Sequence, residues 1–273
     1  MTLRFTKMQG AGNDFVIVDC RRAPLAMTRD QIAQLGDRHL GVGFDQLLTI
    51  EPARDGASAF AYGIYNSDGS PSGQCGNGVR CVAAWLHRAG ALASGKTQLQ
   101  SPSGPVEVEL LGATRVRASM GVPRFAAAAV PINLPEADRY RLCVGDREIE
   151  FGAVSLGNPH AVIEVDDVAS APLATLGAVL STDSHFPNGS NIGFVQIVDR
   201  GQVRLRVWER GAGATLACGT GACAAVAVLR RRGRVDDEVA VNLPGGTLDI
   251  VWRGGDAPMT MAGPAQFVFE GEY

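Results

Sequence analysis

Two cysteine-containing turns, Gln74-Cys75-Gly76-Asn77-Gly78 and Ala217-Cys218-Gly219-Thr220-Gly221, decide how this chain of 273 residues is interpreted. Each turn leads directly into an apolar run, and the two cysteines lie 143 positions apart (218 minus 75). The same thiol therefore recurs at the same kind of site in each half of the chain. Because inversion at one carbon atom needs an acid/base group on each of its two faces, a racemase or epimerase is the first hypothesis.

The repeat extends beyond the cysteines to other segments that recur in the same order. These segments are Gly12-Asn13-Asp14-Phe15 with Gly157-Asn158-Pro159-His160, Gly43-Phe44-Asp45-Gln46 with Gly193-Phe194-Val195-Gln196, and Tyr65-Asn66 with Trp208-Glu209. Such order and spacing indicate two homologous halves. We expect an N-terminal half over residues 1–119, rejoined by a C-terminal strand over 264–273, and a C-terminal half over 120–263.

Each half is predicted to combine short strands with one buried helix. Alternation of apolar and polar residues over Val106–Leu110 and Val203–Val207 is typical of half-buried strands. The run from Ala222 to Leu229 is apolar on every side, and a helix without a polar face must be surrounded. The fold class is therefore α+β, with two pseudo-symmetric domains, each a mixed sheet or barrel curled around a central apolar helix. We expect Arg230–Arg232 at the end of the second helix to face its dipole and solvent.

A thiol at a helix start is suited to acid/base chemistry. The first N–H groups of a helix have no intrahelical partners and carry partial positive charge. The sequence therefore predicts a lowered pKa for Cys75 and Cys218, with thiolate present near neutral pH. The same N–H groups can hold the carboxylate of an amino acid.

The composition excludes several other classes. The net charge is −3 and no basic arm is present, so nucleic acid is not an expected partner. No apolar stretch approaches the roughly 18–20 residues that span a bilayer, so no membrane partner is expected. Six cysteines without compact spacing argue against a secreted disulfide scaffold and favour the cytoplasm.

The motifs resemble those of the diaminopimelate epimerase family of cofactor-independent amino-acid racemases along nearly the whole chain. The motifs that carry the resemblance are Lys7-Met8-Gln9-Gly10-Ala11-Gly12-Asn13-Asp14-Phe15, Gly43–Gln46, Asn66-Ser67-Asp68-Gly69-Ser70, Gln74–Cys81, Gly157–His160, Glu209–Gly213 and Ala217–Gly221. The resemblance implies interconversion of LL- and meso-2,6-diaminopimelate by a thiolate/thiol pair, in lysine and peptidoglycan precursor synthesis. It implies no cofactor, no metal and a homodimer.

The resemblance also implies a role for each matching residue. Cys75 and Cys218 would be the catalytic acid/base pair, supported by His160 and Glu209. The substrate would be bound by Asn13, Gln46, Asn66, Gly76, Asn77, Asn158, Asn191, Glu209, Arg210, Gly219 and Thr220. Two positions depart from the family pattern: Ala214 replaces a usual glutamate, and Phe269 replaces an aromatic, often tyrosine, at the dimer contact.

Other interpretations compete with this one. Residues 90–97 fit the P-loop pattern, but a helix is expected before them and a strand after them, the reverse of a working P-loop. Gly219–Ala224 fits a loose dinucleotide fingerprint, which the cysteine before it disfavours. Cys75, Cys81, Cys218 and Cys223 could ligate zinc, although their spacings are longer than usual. A proline-type racemase with paired thiols is the nearest rival, and the Glu209-Arg210 clamp favours the longer substrate.

Overall fold

A computed structural model describes residues 2–273 of the chain. The chain divides into two compact units, Met1–Ser119 with Ala262–Tyr273, and Met120–Met261. The elements of the first unit are β1 (Arg4–Gly10), β2 (Asn13–Asp19), α1 (Arg29–Gly36), β3 (Gln46–Glu51), β4 (Phe60–Asn66), α2 (Gly76–Arg88), β5 (Gly95–Ser101), β6 (Gly104–Gly112) and β7 (Arg115–Gly121). The chain returns to it through β16 (Met259–Pro264) and β17 (Gln266–Glu272).

The second unit contains the remaining elements of the chain. They are β8 (Tyr140–Val144), β9 (Arg147–Ser155), β10 (Pro159–Glu164), α3 (Ala178–Ser181), β11 (Asn191–Asp199), β12 (Gln202–Glu209), β13 (Gly213–Thr215), α4 (Gly219–Arg231), β14 (Glu238–Leu243) and β15 (Gly246–Val251). A π-helical turn over Leu173–Gly177 precedes α3.

The two units share one topology. In the first, neighbouring strands follow the order β17-β1-β2-β3-β4-β5-β6-β7, with β2–β3 and β4–β5 parallel and the others antiparallel. In the second, the order is β8-β9-β10-β11-β12-β14-β15, with β10–β11 and β12–β14 parallel and the others antiparallel. The series β2-β3-β4-α2-β5-β6 is thus repeated as β10-β11-β12-α4-β14-β15, as the recurring motifs predict.

Each sheet wraps around one helix. The central helices α2 and α4 are both 13 residues long. Helix α2 packs on β1, β2, β3 and β6, and α4 packs on β9, β10, β11, β12 and β15, so strands from across each sheet reach its helix. Every residue from Ala222 to Leu229 is buried. The predicted α+β fold, with a mixed sheet around an apolar helix in each half, is confirmed.

The arginine run at the end of α4 makes ion pairs that the sequence does not predict. Arg230–Arg232 do not simply face solvent, because each guanidinium pairs with a carboxylate of the same unit: Asp237, Asp138 and Glu164 respectively. The side chain of Arg232 is only 7% exposed. Asp138 and Glu164 come from distant segments, which local sequence spacing does not reveal.

Among the described residues, no helix combines the length and apolar character needed to cross a membrane. The strands expected at Val106–Leu110 and Val203–Val207 lie within β6 and β12, with alternating burial along the first. Both expectations are confirmed.

The enclosure of α2 generates a stability prediction. Leu86 on α2 is fully buried, whereas Leu40 is 82% exposed. Leu86→Ala removes buried methyl groups and leaves a cavity, so it should lower the free energy of unfolding by about 2–5 kcal/mol. Urea denaturation followed by circular dichroism measures this. Leu40→Ala is the matched control and should change stability by less than about 0.5 kcal/mol; equal effects of the two substitutions would contradict the enclosed helix.

Candidate active site

Three polar residues of the first unit lie at one edge of its sheet. Asn13 and Gln46 are the first residues of the parallel strands β2 and β3, and Asn66 is the last residue of the antiparallel strand β4. In the strand register Gln46 lies opposite Asn66, and the Gln46 amide nitrogen donates to the Asn66 side-chain oxygen at 3.2 Å. The topology therefore gathers residues that are 53 positions apart (66 minus 13).

The second unit repeats this arrangement. Asn158 precedes β10, Asn191 begins the parallel strand β11, and Glu209 ends the antiparallel strand β12. In the register His160 lies opposite Asn191. Asn191 is buried; its oxygen accepts from the main-chain N–H of Arg210 at 3.0 Å and its nitrogen donates to the carbonyl of Pro159 at 3.1 Å.

Glycine precedes the asparagine in both units for a conformational reason. Gly12 has φ of 86° and Gly157 has φ of 94°. These left-handed conformations favour glycine, because a Cβ atom would clash with the backbone. They turn the chain into β2 and β10, so that Asn13 and Asn158 face the first turns of α2 and α4.

Cys75 is the N-cap of α2. Its sulfur accepts from the main-chain N–H of Gly78 at 3.3 Å and lies 3.7 Å from the side-chain oxygen of Asn13. The amide nitrogen of Asn77 also contacts that oxygen, at 3.4 Å. Cys75 is half-buried, whereas Gly76 and Asn77 are buried. The structure thus brings Asn13, Cys75, Gly76 and Asn77 together, as expected from the sequence.

Cys218 is the N-cap of α4 and is buried. Its sulfur lies 3.6 Å from the hydroxyl of Thr220, and that hydroxyl lies 3.4 Å from the amide nitrogen of Asn158. The oxygen of Asn158 in turn contacts Nε2 of His160 at 3.0 Å. A continuous chain of polar contacts therefore links His160 to Cys218.

The predicted low pKa of Cys218 is wrong for this structure. Burial raises the pKa of the Cys218 thiol well above its ordinary value, and the negative charge of Glu209 and a hydrogen bond to it act in the same direction. These effects outweigh the helix start, so Cys218 favours the protonated thiol in this structure. Sequence spacing shows the helix start but not the depth of burial.

His160 and Glu209, which the resemblance implies support activity, differ in what the structure shows of them: a protonation state for His160 and a hydrogen bond for Glu209. Burial, helped by the positive charge of Arg210, lowers the pKa of His160 to about 3, so its imidazole is neutral near pH 7. Glu209 accepts a hydrogen bond from the hydroxyl of Thr215, which orients one carboxylate oxygen. The Arg210 side chain is exposed and donates to the carbonyl of Asn188.

Four charged residues around Asn13 were not assigned a role from the sequence. Lys7, Asp14, Arg38 and Asp45 form a network of ion pairs in which Arg38 bridges Asp14 and Asp45 at 2.8 and 2.7 Å. Burial alone would raise the pKa of Asp14, but hydrogen bonds and charges from Arg38 and Lys7 hold it at about 2. Lys7, Asp14 and Asp45 lie inside the motifs quoted above, and this position was the sequence signal that could have indicated a role.

The P-loop and zinc interpretations find no support in the geometry. Helix α2 ends at Arg88 and β5 begins at Gly95, so the P-loop-like segment follows a helix and precedes a strand, as predicted. Cys81 and Cys223 are fully buried. Among residues 2–273, no three His, Cys, Asp or Glu side chains are placed to share a metal ion.

The fold is that of a class of racemases, epimerases and isomerases. A hydroxyproline epimerase from Agrobacterium vitis superimposes with a TM-score of 0.71 at 16% identity, covering 99% of this chain and 92% of that one. A probable proline racemase from Agrobacterium radiobacter gives 0.70 at 15% identity, covering 98% and 92%.

Sequence comparison identifies the family within that class. The diaminopimelate epimerase family model matches residues 5–126 and 152–268. A diaminopimelate epimerase from Xanthomonas euvesicatoria is 52% identical over 99% of this chain and 96% of its own length, and one from Chromobacterium violaceum is 47% identical over 100% and 99%. An O-ureido-serine racemase from Streptomyces lavendulae is 50% identical over 100% and 96%. The chain belongs to the diaminopimelate epimerase family and is an isomerase.

The pKa shift of Cys218 can be tested directly. Glu209→Gln removes the negative charge that opposes ionisation of the thiol, so iodoacetamide should alkylate Cys218 at lower pH than in the wild type. The measurement is the pH dependence of alkylation at each cysteine, read by peptide mass spectrometry. Cys20, whose pKa is raised by burial to about 11, is the internal control and should not respond. An unchanged Cys218 profile would contradict the assigned cause.

Proposed function

We propose that this chain converts LL-2,6-diaminopimelate to meso-2,6-diaminopimelate by a cofactor-independent two-base reaction of Cys75 and Cys218. The observation that carries the mechanism is that a cysteine caps the central helix in both units. Cys75 contacts Asn13 directly, and Cys218 is linked to Asn158 through the hydroxyl of Thr220. The membership of the family and relatives about half identical over nearly the full chain support the substrate.

The proposed reaction balances without an added reagent. The thiolate of one cysteine removes the proton from the α-carbon, and the electron pair left behind is delocalised into the adjacent carboxylate. The thiol of the other cysteine delivers its proton to the opposite face, so the carbon is inverted and one thiolate is regenerated. The raised pKa of Cys218 suits the proton donor. Because opposite faces use opposite cysteines, the roles exchange in the reverse reaction.

The helix starts supply the binding site for the reacting end. Main-chain N–H groups of Gly76, Asn77, Gly219 and Thr220 belong to the first turns of α2 and α4, where donors lack intrahelical partners. They would bind the α-carboxylate and stabilise the negative charge that develops on it in the transition state. This is the carboxylate into which the electron pair is delocalised.

The distal end of the substrate would be held by polar side chains. Arg210 can pair with a carboxylate and Glu209 with an ammonium, while the side-chain amides of Asn66 and Asn191 orient both. Asn13, Gln46 and Asn158 complete the proposed pocket. A site that hydrogen-bonds a second amino-acid group rejects substrates without one, because buried polar groups are then left unpaired.

O-Ureido-serine is a second candidate substrate. The racemase from Streptomyces lavendulae is as similar to this chain as several of the diaminopimelate epimerases are. By its name, that substrate carries a urea group in place of a second amino-acid group. Arg210 and Glu209 suit a charged distal group better, so we favour diaminopimelate.

The biological setting is proposed on the same basis. Diaminopimelate epimerisation would serve lysine and peptidoglycan precursor synthesis in the cytoplasm. All six cysteines are free, which suits a reducing compartment. The proposal needs no cofactor or metal, since both proton transfers use the chain's own thiols.

The function is tested by proton exchange. Reduced protein incubated with LL-diaminopimelate in deuterated water should exchange the α-proton and form the meso isomer, followed by NMR and chiral chromatography. Cys75→Ala and Cys218→Ala should each lower the epimerisation rate by on the order of 10³-fold or more, because one proton transfer loses its group. Cys143→Ala, an exposed cysteine in β8, is the matched control. Racemisation of O-ureido-serine in preference to diaminopimelate would reverse the substrate assignment.

We also propose a homodimer, formed through β17. Val268 and Phe269 on this strand are 56% and 48% exposed, and Tyr273 after it is 47% exposed. Phe269→Asp should convert the dimer to a monomer in sedimentation equilibrium, because it places a charge in the apolar contact. Leu216→Asp, at a 55% exposed leucine of the second unit, is the control and should leave the mass unchanged. A wild-type monomer would disprove the dimer.

A further inference from the structure

The orientation of the Asn13 side chain is determined by its second contact. The amide nitrogen of Asn13 lies 2.6 Å from a carboxylate oxygen of Asp45. An ionised carboxylate only accepts hydrogen bonds, so the nitrogen of Asn13 must face Asp45. The oxygen of Asn13 therefore faces the Cys75 sulfur, at 3.7 Å, and the amide nitrogen of Asn77, at 3.4 Å.

Asp45 is itself held in place from several sides. Arg38 donates to one of its oxygens at 2.7 Å, and the main-chain N–H of Asp14 donates to the other at 3.2 Å. The main-chain N–H of Asp45 donates to the Asp14 carboxylate at 3.0 Å. Lys7, only 8% exposed, pairs with Asp14 at 2.6 Å. The carboxylate thus has a fixed position although its side chain is 43% exposed.

The second unit has no carboxylate at the corresponding place. The structure does not support the sequence match of Gly43–Gln46 with Gly193–Gln196, because Gln46 begins β3 as Asn191 begins β11. Asp45 therefore corresponds to Ser190, which is fully buried. Asn158, the counterpart of Asn13, is instead contacted by His160, and in the structure its nitrogen, not its oxygen, points to Thr220 beside Cys218. The equivalent asparagines have opposite orientations relative to their helices.

We propose that Asp45 is a positioning residue that holds the carbonyl oxygen of Asn13 toward Cys75 and thereby sets the reactivity of that thiol. A carbonyl oxygen accepts from a thiol S–H but repels a thiolate, so it makes the Cys75 thiolate less abundant and a stronger base once it forms. The N–H of Gly78 acts in the opposite direction. The inference rests on the proposed acid/base role of Cys75 and adds a residue that does not touch the reacting atoms.

Alkylation of Cys75 by iodoacetamide tests this without substrate. Asp45→Asn provides an amide that can donate as well as accept, so Asn13 can turn its nitrogen to Cys75 and stabilise the thiolate. Cys75 should then react about two- to tenfold faster at pH 7, the worth of one hydrogen bond, and reach half its maximal rate at lower pH. Asp45→Glu keeps an acceptor and should restore the slower rate.

The other ionisable groups around Cys75 do not contribute to the pH dependence of its alkylation. Burial, and then the charge of Cys75, raise the pKa of Tyr62 on β4 above its ordinary range. Burial raises the pKa of Cys81 to about 12, although the positive charge of Arg80 opposes it. Neither residue ionises between pH 6 and 9, Arg80 stays charged throughout, and Lys7, Asp14 and Arg38 remain in all variants.

Two controls distinguish the orientation of the Asn13 amide from the loss of a negative charge and from a loss of folding stability. Asp19→Asn removes a comparable aspartate, 39% exposed and paired with Arg21, and should leave Cys75 unaffected. In an Asn13→Ala background, Asp45→Asn should no longer accelerate alkylation, because the effect passes through Asn13. Equal acceleration in that background, or none in the wild type, would overturn the inference. A midpoint temperature of thermal unfolding for Asp45→Asn close to that of Asp19→Asn would confirm that the variant is folded.

Activity measurements distinguish failure of the inference from failure of the proposed function. Asp45→Asn should lower kcat for epimerisation by about tenfold or more with a smaller change in KM, because a Cys75 thiolate stabilised by the nitrogen of Asn13 is a weaker base and its sulfur is less well placed. If the wild type does not exchange the α-proton of diaminopimelate while alkylation behaves as described, the proposed function fails and the positioning role remains. If exchange occurs and alkylation is insensitive to Asp45, the positioning role fails.

Discussion

The free N–H groups at the starts of two buried helices are the constraint on which the structure depends. Helices α2 and α4 are apolar and enclosed by their sheets, so nearly every main-chain donor along them is paired within the helix. Only the first turn retains donors without a partner in the helix, and the N–H of Gly78 among them donates to the Cys75 sulfur. Enclosing each helix therefore confines its polar chemistry to the turn that contains the cysteine, and strand edges bring side-chain amides to the same place.

Duplication gives the two units the same backbone and leaves the chemistry to side chains. Asn13 and Asn158 lie at the starts of equivalent strands and reach the second residue of equivalent helices at 3.4 Å in both units. At other equivalent positions the residues differ: Asn66 corresponds to Glu209, Asn77 to Thr220 and Asp45 to Ser190. These differences place a carboxylate beside Cys218 and a carbonyl oxygen beside Cys75. The two thiols are therefore equal in position and unequal in environment.

The sequence predicted the parts of this structure that depend on local pattern and on repetition. The sheet around an apolar helix followed from alternation in β6 and β12 and from the unbroken apolar run in α4, and the family followed from the motifs. The environment of Cys218 did not follow, because burial and the approach of Glu209 depend on contacts between distant segments. The same holds for Arg232 with Glu164 and for Asp45 with Asn13. The substrate-binding roles of the polar residues stay predictions.

The proposed inversion of an extended substrate requires the two units to differ where the distal group binds. When a proton is exchanged between the two faces of one carbon atom, the carboxylate, the amino group and the side chain stay attached, and a long side chain lies on one side of the site only. A perfectly symmetric pair of units could not bind that side chain in one place. Charged residues at the end of β12, Glu209 and Arg210, have the uncharged Asn66 and the small Ser67 as their counterparts at the end of β4. In the proposed reaction, the asymmetry that perturbs Cys218 would also bind the distal group, so selectivity and proton transfer would depend on one residue set.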